Sequence, residues 1–199
     1  MNNIKIKRII NGAEEANCYL VVAGNELVVI DPGDESEEII QKIDELGKMN
    51  YKYILLTHGH FDHVMAVNDL KKKFGFQVVI GKYDKDIKGL NAKFNVDVPQ
   101  TEVDITVSEG DALDFGNEKI KVLSTPGHTK GSVCYLIGDN LFSGDTLFPH
   151  RHGRTDFATG NPEEMDKSLK RLFDLPGKTK VFPGHYEETT LGEARKYFN

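Results

Sequence analysis

Side chains that bind metal ions are concentrated in residues 57–63 of the 199-residue chain. Three of them are histidines and one is an aspartate, all within six consecutive positions. In an extended backbone His58 and His60 project to the same side, and the glycine between them lets the chain bend closely around an ion. One metal ion can therefore bind both imidazoles. Asp62 and His63 are adjacent and must diverge, which suits a second ion beside the first.

The alternative for this segment is a turn of solvated histidines that caps the following helix. We expect Asp62 to cap that helix, because apolar residues follow at helical spacing and Gly75 ends the pattern. The apolar residues are Val64, Val67, Leu70 and Phe74. Capping accounts for the aspartate and leaves the three histidines unexplained, so the spacing favours a metal site.

Three later segments share one pattern, a short apolar strand that ends in glycine followed by one side chain able to bind a metal. A lone histidine is usually a surface or core residue, so none of the three is informative by itself. Several strands that bring aspartate or histidine to one edge predict a shared site. These side chains are His128 after Pro126-Gly127, Asp145 after Gly144, and His185 after Pro183-Gly184.

Hydrophobic periodicity indicates which elements position these residues. The alternation of strands with helices predicts a fold of the α/β class. We expect Asp34 and Glu37 to cap the first helix, and Asn161 to cap a later one that begins at Pro162. The predicted strands span residues 4–10, 18–22, 27–30, 53–56, 77–80, 103–107, 119–123, 140–143 and 180–182.

Two regions allow two interpretations each. Asp31 is either a turn residue or a carboxylate that accepts a hydrogen bond from a metal-binding histidine. Residues 84–100 are weakly patterned, and their apolar side chains either form a wall beside the site or pin a surface loop; we expect the loop. These side chains are Leu90, Phe94, Val96 and Val98.

Composition narrows the class of protein. We interpret residues 1–199 as one domain, because no linker interrupts the chain. A net charge of −6 argues against a nucleic-acid-binding protein. Cys18 and Cys134 lie in apolar strand-like segments, which favours buried thiols in a reducing compartment over a disulfide. No secretory or membrane-spanning segment is visible, so we expect a soluble cytoplasmic protein without a membrane partner.

The metal-binding segments, in their order along the chain, resemble those of the metallo-β-lactamase superfamily. The resemblance covers nearly the whole chain and implies a four-layer αββα sandwich with a dinuclear metal site at the sheet edges. Carried over by position, it implies a first metal at His58, His60 and His128, a second at Asp62, His63 and His185, and Asp145 as the bridge.

Within that superfamily, the segments 144–148 and 153–157 resemble the glyoxalase II-like enzymes, which are hydroxyacylglutathione hydrolases. Full-length glyoxalase II proteins continue into a helical C-terminal domain that helps to bind glutathione, whereas this chain ends soon after His185. The resemblance therefore implies thioester hydrolysis and leaves the native thiol open.

Five histidines, two aspartates and no cysteine form a nitrogen and oxygen site that suits two ions of zinc, and also iron or manganese. Two such ions lower the pKa of a shared water to about 7, and the hydroxide can attack the thioester carbonyl of a substrate such as S-lactoylglutathione. We expect Asp62 to orient this hydroxide. Arg154, in a locally basic loop, is predicted to bind an anionic substrate tail.

Two other functions fit the same residues. A persulfide dioxygenase with a single iron has the same fold and a similar Gly-Arg-Thr-Asp-Phe segment. A metal-binding module without turnover is the non-enzymatic alternative. A β-lactamase fits less well, because the loop near Arg154 is basic. A nuclease fits less well, because the chain has no long run of basic residues.

Overall fold

In the computed structural model, which describes residues 4–198, two six-stranded β-sheets pack face to face. The first sheet places its strands in sequence order, with strands three to six parallel. Its strands are β1 (Lys5–Asn11), β2 (Ala16–Ala23), β3 (Glu26–Ile30), β4 (Asn50–Leu56), β5 (Gln77–Gly81) and β6 (Ile105–Val107).

The second sheet has the order β12-β11-β10-β9-β8-β7 and is antiparallel except between β10 and β11. The sequence pattern had not indicated its edge strand β7, in which only the last residue is buried. The strands are β7 (Ala112–Phe115), β8 (Glu118–Ser124), β9 (Val133–Ile137), β10 (Asn140–Gly144), β11 (Lys180–Pro183) and β12 (Thr189–Thr190).

Helices cover the outer face of each sheet, so three hydrophobic layers form. The outer layers lie between each sheet and its helices, and the central layer lies between the sheets. Strand β3 is buried along most of its length because both faces of its sheet are covered. The helices are α1 (Ser36–Asp44), α2 (Val67–Phe74), α3 (Ile87–Leu90), α4 (Pro162–Leu172) and α5 (Leu191–Ala194).

Helix ends test the capping predictions. Asn161 accepts a hydrogen bond from the Glu164 amide and α4 begins at Pro162, as predicted. The prediction for α1 is wrong: Glu35 occupies the cap position in a left-handed conformation, with no side-chain cap. The Asp34 carboxylate instead accepts a hydrogen bond from the Glu35 amide, so it is engaged one residue before the helix.

The prediction that Asp62 caps α2 is also wrong. Asp62 lies in a 3₁₀ turn, Phe61–His63, and α2 begins only at Val67 without a side-chain cap. The Asp62 carboxylate lies against two histidines and is not available to a helix end. As predicted, Gly75 ends α2, and its φ is 77°.

Both cysteines are buried and unpaired. Burial raises the pKa of both thiols, for Cys134 to about 11. They are therefore packing residues rather than reactive thiols. Within residues 4–198, no helix has the length and apolar character that a membrane crossing requires.

Candidate metal centre

The seven predicted ligands come together where strands of both sheets end. The first segment follows β4, and the other three ligands follow strands of the second sheet. Two hydrogen bonds join the sheets here, from the Val133 amide to the Thr57 carbonyl and from the Tyr135 hydroxyl to the Leu56 carbonyl. Strand ends from both sheets are therefore held at one edge of the sandwich.

Three imidazoles form one half of the site, which we call the three-histidine half: His58, His60 and His128. Their candidate ligand nitrogens lie within 4.8 Å of one another, and all three side chains are buried. The closest pair is His60 Nδ1 and His128 Nε2, at 2.8 Å. A single cation can therefore contact all three nitrogens with little rearrangement.

Asp62, His63 and His185 form the other half, the carboxylate half. Asp62 Oδ2 lies 3.4 Å from His63 Nε2 and 3.2 Å from His185 Nε2. Asp145 lies between the halves, because its carboxylate oxygens are 3.5 Å from His63 Nε2 and 3.5 Å from His128 Nε2. One carboxylate thus faces both clusters of ligand atoms.

Hydrogen bonds fix the orientation of three imidazoles. His128 Nδ1 donates to the Arg154 carbonyl at 2.7 Å, and His63 Nδ1 donates to Asp31 at 3.2 Å. His58 Nδ1 donates to the Thr57 hydroxyl at 3.1 Å, because that hydroxyl itself donates to Asp31. In each ring the outer Nδ1 therefore carries a proton, and the inner Nε2 is the nitrogen that faces the site.

Unpartnered buried atoms test whether the site suits a metal ion. His58 Nε2, His63 Nε2 and Asp145 Oδ1 are buried without a hydrogen-bond partner among residues 4–198. Burying a polar atom without a hydrogen bond costs about 1–3 kcal/mol for each group. Divalent cations bound in the two halves would satisfy all three atoms, so the donor set fits divalent metal ions.

The two halves differ in their protonation. Burial lowers the pKa of His58, and it lowers the pKa of His60 to about 3, so both are neutral ligands. Burial also disfavours the charged form of His63 and His185, but the neighbouring carboxylates outweigh it and raise the pKa of both. Without metal, the carboxylate half is therefore a set of ion pairs.

Asp31 directly follows β3 and lies behind the site, where its amide donates a hydrogen bond to the Leu55 carbonyl of β4. Its carboxylate accepts hydrogen bonds from the Thr57 amide at 2.8 Å and the Thr57 hydroxyl at 2.6 Å, besides the contact with His63. Its backbone has a φ of 49°, an uncommon conformation for a residue other than glycine. Asp31 thus joins the first ligand segment to the end of β3.

Sequence reasoning missed Asp84 and Asn91, which support the three-histidine half. The buried Asp84 carboxylate accepts hydrogen bonds from Gly59 and Gly131, and Asn91 bonds to the backbone of Gly59 and Phe61. Burial raises the pKa of Asp84, although these hydrogen bonds oppose it. One available signal was its place soon after β5, whose end lies beside that of β4.

The loop of His185 is supported from β2 instead. The Asn17 side chain donates to the carbonyls of Pro183 at 2.9 Å and Tyr186 at 2.8 Å, and the Tyr19 hydroxyl donates to Pro183 at 2.7 Å. The backbone here has no room for a side chain, because a Cβ on Gly184 would collide with the Asp145 carboxylate. The glycine before His185 is thus required by packing.

A cavity of about 270 Å³ opens onto the site. Phe94 and Phe157 line it, and each ring contacts the His60 imidazole at 5.4 and 5.3 Å between centroids. The expectation that residues 84–100 only pin a surface loop is therefore wrong for Phe94, which is part of the wall of the site. Val98 of the same region is buried in the outer hydrophobic layer.

Arg154 lies at the cavity with its side chain 66 % exposed. Its guanidinium forms two hydrogen bonds to Asp156, of 2.9 and 2.7 Å, and lies over the Phe157 ring. The nearby His150 and His152 contact Tyr197 and Phe198 instead of the cavity. Arg154 is thus the basic side chain of this loop that lines the cavity.

Sequence comparisons show the family of the chain. A family model described as the Metallo-beta-lactamase superfamily matches residues 11–185. The chain is 33 % identical over 197 residues to the probable metallo-hydrolase YqgX of Bacillus subtilis, covering 94 % of this chain and 93 % of the other. It is 34 % identical over 199 residues to the hydroxyacylglutathione hydrolase GloC of Haemophilus influenzae, covering 92 % of each.

Solved structures show the same architecture. The BLEG-1 B3 metallo-beta-lactamase superposes with a TM-score of 0.90 at 30 % identity, over 96 % of this chain and 97 % of the other. TTHA1623 in a di-iron-bound form gives 0.86 at 35 % identity, over 96 % and 98 %. ETHE1 from Myxococcus xanthus gives 0.81 at 31 % identity, over 97 % and 82 %. The predicted αββα sandwich of the α/β class is confirmed.

Proposed function

Because the chain belongs to the metallo-β-lactamase superfamily and is a metal-dependent hydrolase of that family, we propose that its substrates are anionic small-molecule thioesters such as S-lactoylglutathione. The observation that carries this proposal is the convergence of seven side chains with nitrogen and oxygen ligand atoms, three of which are buried without hydrogen-bond partners among residues 4–198. The similarity to a hydroxyacylglutathione hydrolase over most of both chains supports the same choice.

Each half of the site would hold one divalent ion, and Asp145 would contact both. When bound, such ions act as Lewis acids and lower the pKa of water to about 7. Zinc suits the ligands best, and iron or manganese also fit nitrogen and oxygen donors. The di-iron form of TTHA1623 supports iron as an alternative to zinc.

The protein's own groups then position the substrate and the attacking water. Asp62 lines the cavity with its carboxylate 16 % exposed, so it can accept a hydrogen bond from the water and orient it. The His60 and His128 imidazoles line the same cavity, and the two phenyl rings beside His60 exclude bulk water from that side. Asp62 therefore has a catalytic role in the proposal, besides binding metal.

The lining of the cavity favours a thioester over an amide. A thiol has a pKa of about 8.5, so it leaves as a thiolate near neutral pH without a proton donor. An amine leaving group needs a general acid. Apart from the predicted ligands, the titratable residues that line the cavity are Glu14 and Arg154. The Arg154 guanidinium keeps its proton and cannot act as that acid. A substrate with a good leaving group matches this set of side chains.

Arg154 would bind the anionic part of the substrate at the mouth of the cavity. A guanidinium can bind a carboxylate through two hydrogen bonds, as Arg154 does with Asp156. Since that ion pair is exposed, it contributes little to stability and a substrate carboxylate can compete for Arg154.

A second candidate is an iron-dependent persulfide dioxygenase. His128 Nε2 and Asp145 Oδ2 are 3.5 Å apart and His58 lies beside them, which makes two histidines and one carboxylate. That ligand set is typical of non-haem iron oxygenases. The similarity to ETHE1 covers nearly the whole chain and supports this candidate as well.

The test is a parallel assay of the purified protein with zinc, iron or manganese. We expect S-lactoylglutathione to be hydrolysed without oxygen, with a kcat/KM of at least about 10⁴ M⁻¹s⁻¹. Amide and β-lactam substrates serve as controls and should react far more slowly. Oxygen uptake with a persulfide and one iron per chain, without thioester cleavage, would support the dioxygenase. Turnover of no substrate would contradict both and leave a metal-binding module.

A further inference from the structure

One buried carboxylate, that of Asp84, joins two separate loops of the protein. Its side chain is 1 % exposed and accepts three hydrogen bonds. Oδ2 accepts from the Gly59 amide at 3.1 Å and from the Thr129 hydroxyl at 2.6 Å, and Oδ1 accepts from the Gly131 amide at 2.9 Å. All three donors point inward at a carboxylate that contacts none of the predicted metal ligands by hydrogen bond.

The two loops are those that carry the three-histidine half. Gly59 lies between His58 and His60, while Thr129 directly follows His128. Any change in the distance between these loops also changes the distance between His60 Nδ1 and His128 Nε2, now 2.8 Å. Asp84 therefore lies where it can fix the spacing of all three nitrogens.

The contact between Asp84 and the second loop leaves no free space. A Cβ on Gly131 would collide with the Asp84 carboxylate and backbone. Thr129 is held further by Ser132, whose hydroxyl lies 2.7 Å from that of Thr129. On the first loop, Asn91 adds hydrogen bonds to the Gly59 carbonyl at 2.7 Å and from the Phe61 amide at 2.9 Å.

We infer that Asp84 is a positioning residue that sets the metal affinity of the three-histidine half without touching the ion. This inference rests on the metal centre proposed above. Partners behind the ligands of a metal site typically change affinity or activity by about 10–100-fold when they are removed. The carboxylate half takes its support from Asn17 and Tyr19 on β2, so the effect of Asp84 is confined to one of the two ions.

The decisive variant is Asp84→Asn, which keeps the shape and removes an acceptor. One oxygen becomes an amide group that faces a hydrogen-bond donor, so at least one of the three hydrogen bonds is lost. Zinc binding is measured by competition with a chromophoric chelator, without any assay of turnover. We expect one of the two zinc ions to bind at least about tenfold more weakly, and the other to keep its wild-type affinity.

The matched control is Asp104→Asn. Asp104 also accepts a backbone hydrogen bond, from the Val78 amide at 2.7 Å, and pairs with Lys71 at the opposite end of β5 from the site. The chemical change is the same, but neither ligand loop is involved. This variant should lower the melting temperature and leave both zinc affinities unchanged.

Thr129→Val is the second variant, for the case in which Asp84→Asn does not fold. It keeps the carboxylate and removes one donor, so we expect a smaller loss at the same ion. Asn17→Ala should weaken the other ion, because it removes support for the His185 loop.

Two results would overturn the inference. One is a folded Asp84→Asn protein, or a Thr129→Val protein in its place, that binds both zinc ions with wild-type affinity. The other is an equal loss at both ions, which would show general loosening of the fold. If the wild-type chain binds no zinc in the three-histidine half, this inference and the proposed metal centre both fail. Absence of thioester hydrolysis would overturn only the proposed function.

Discussion

The three-histidine half and the carboxylate half of the site contain similar ligands but differ in charge and exposure. In the first, all three imidazoles are buried, and burial keeps the pKa of His58 and His60 low. In the second, His185 is 17 % exposed, and the carboxylates raise the pKa of both histidines. The first is therefore a neutral pocket inside the protein, and the second is a charged one near its surface.

This difference has a consequence for how the two ions would bind. In the three-histidine half, His58 and His60 are neutral and bind a cation without releasing a proton, and the buried His58 Nε2, which has no hydrogen-bond partner among residues 4–198, favours such binding. In the carboxylate half, ion pairs between histidine and aspartate already stabilise the charged side chains. A metal ion must displace those protons before it can bind there. We therefore expect the two ions to respond differently to acid and to substitutions.

Metal removal should have the largest effect, because it takes the ions out of both halves at once. Dialysis against a chelator should lower thioester hydrolysis by about a thousandfold or more, because the proposed nucleophile depends on the ions. Titration of zinc back into the apo protein should restore activity only with the second equivalent. Full activity with one equivalent would show that the halves do not act together.

The substitution Asp145→Asn tests the connection between the halves. An amide is a weaker ligand than a carboxylate, and Asp145 faces histidines of both halves. We expect kcat to fall about a hundredfold, with a smaller change in KM. The same substitution at the exposed Asp139, away from the site, should leave kcat unchanged. A wild-type kcat for Asp145→Asn would contradict a shared role.

The affinities for the two ions should depend differently on pH. Because the pKa of His63 and His185 is raised in the metal-free protein, protons compete with metal there, and affinity falls as the pH falls. The expected slope is about tenfold per pH unit for each proton displaced. His58 and His60 have lowered pKa values and stay neutral, so they release no proton when the other ion binds. Zinc binding measured between pH 5 and 8 should show one affinity that falls as the pH falls and one that changes less.

The smallest effects are expected at the cavity mouth, which lies outside both halves. Arg154→Ala should raise KM for anionic thioesters by about tenfold and leave KM for neutral ones unchanged. Asp156→Ala should lower KM for the anionic substrates by at most about fivefold, because it releases Arg154 from an exposed ion pair. Equal changes for charged and neutral substrates would rule out this role.

The sequence predicted the strands that carry the ligands better than the contacts behind them. His58, His60 and Asp145 follow apolar runs directly, so periodicity alone places them at strand ends. The capping role of Asp62 was wrong because local spacing cannot show that a side chain is engaged by His185, far along the chain. Asp84 and Asn91 lie in a segment without periodicity, and Asp84 bonds to Gly131, 47 positions away. Such partners depend on how the two sheets pack.

The central claim is that the two halves bind one ion each. Crystals grown with zinc and measured above and below its absorption edge would locate the ions directly. We expect two anomalous peaks, one among His58, His60 and His128 and one among Asp62, His63 and His185, with Asp145 between them. A single peak, or peaks away from these side chains, would contradict the account.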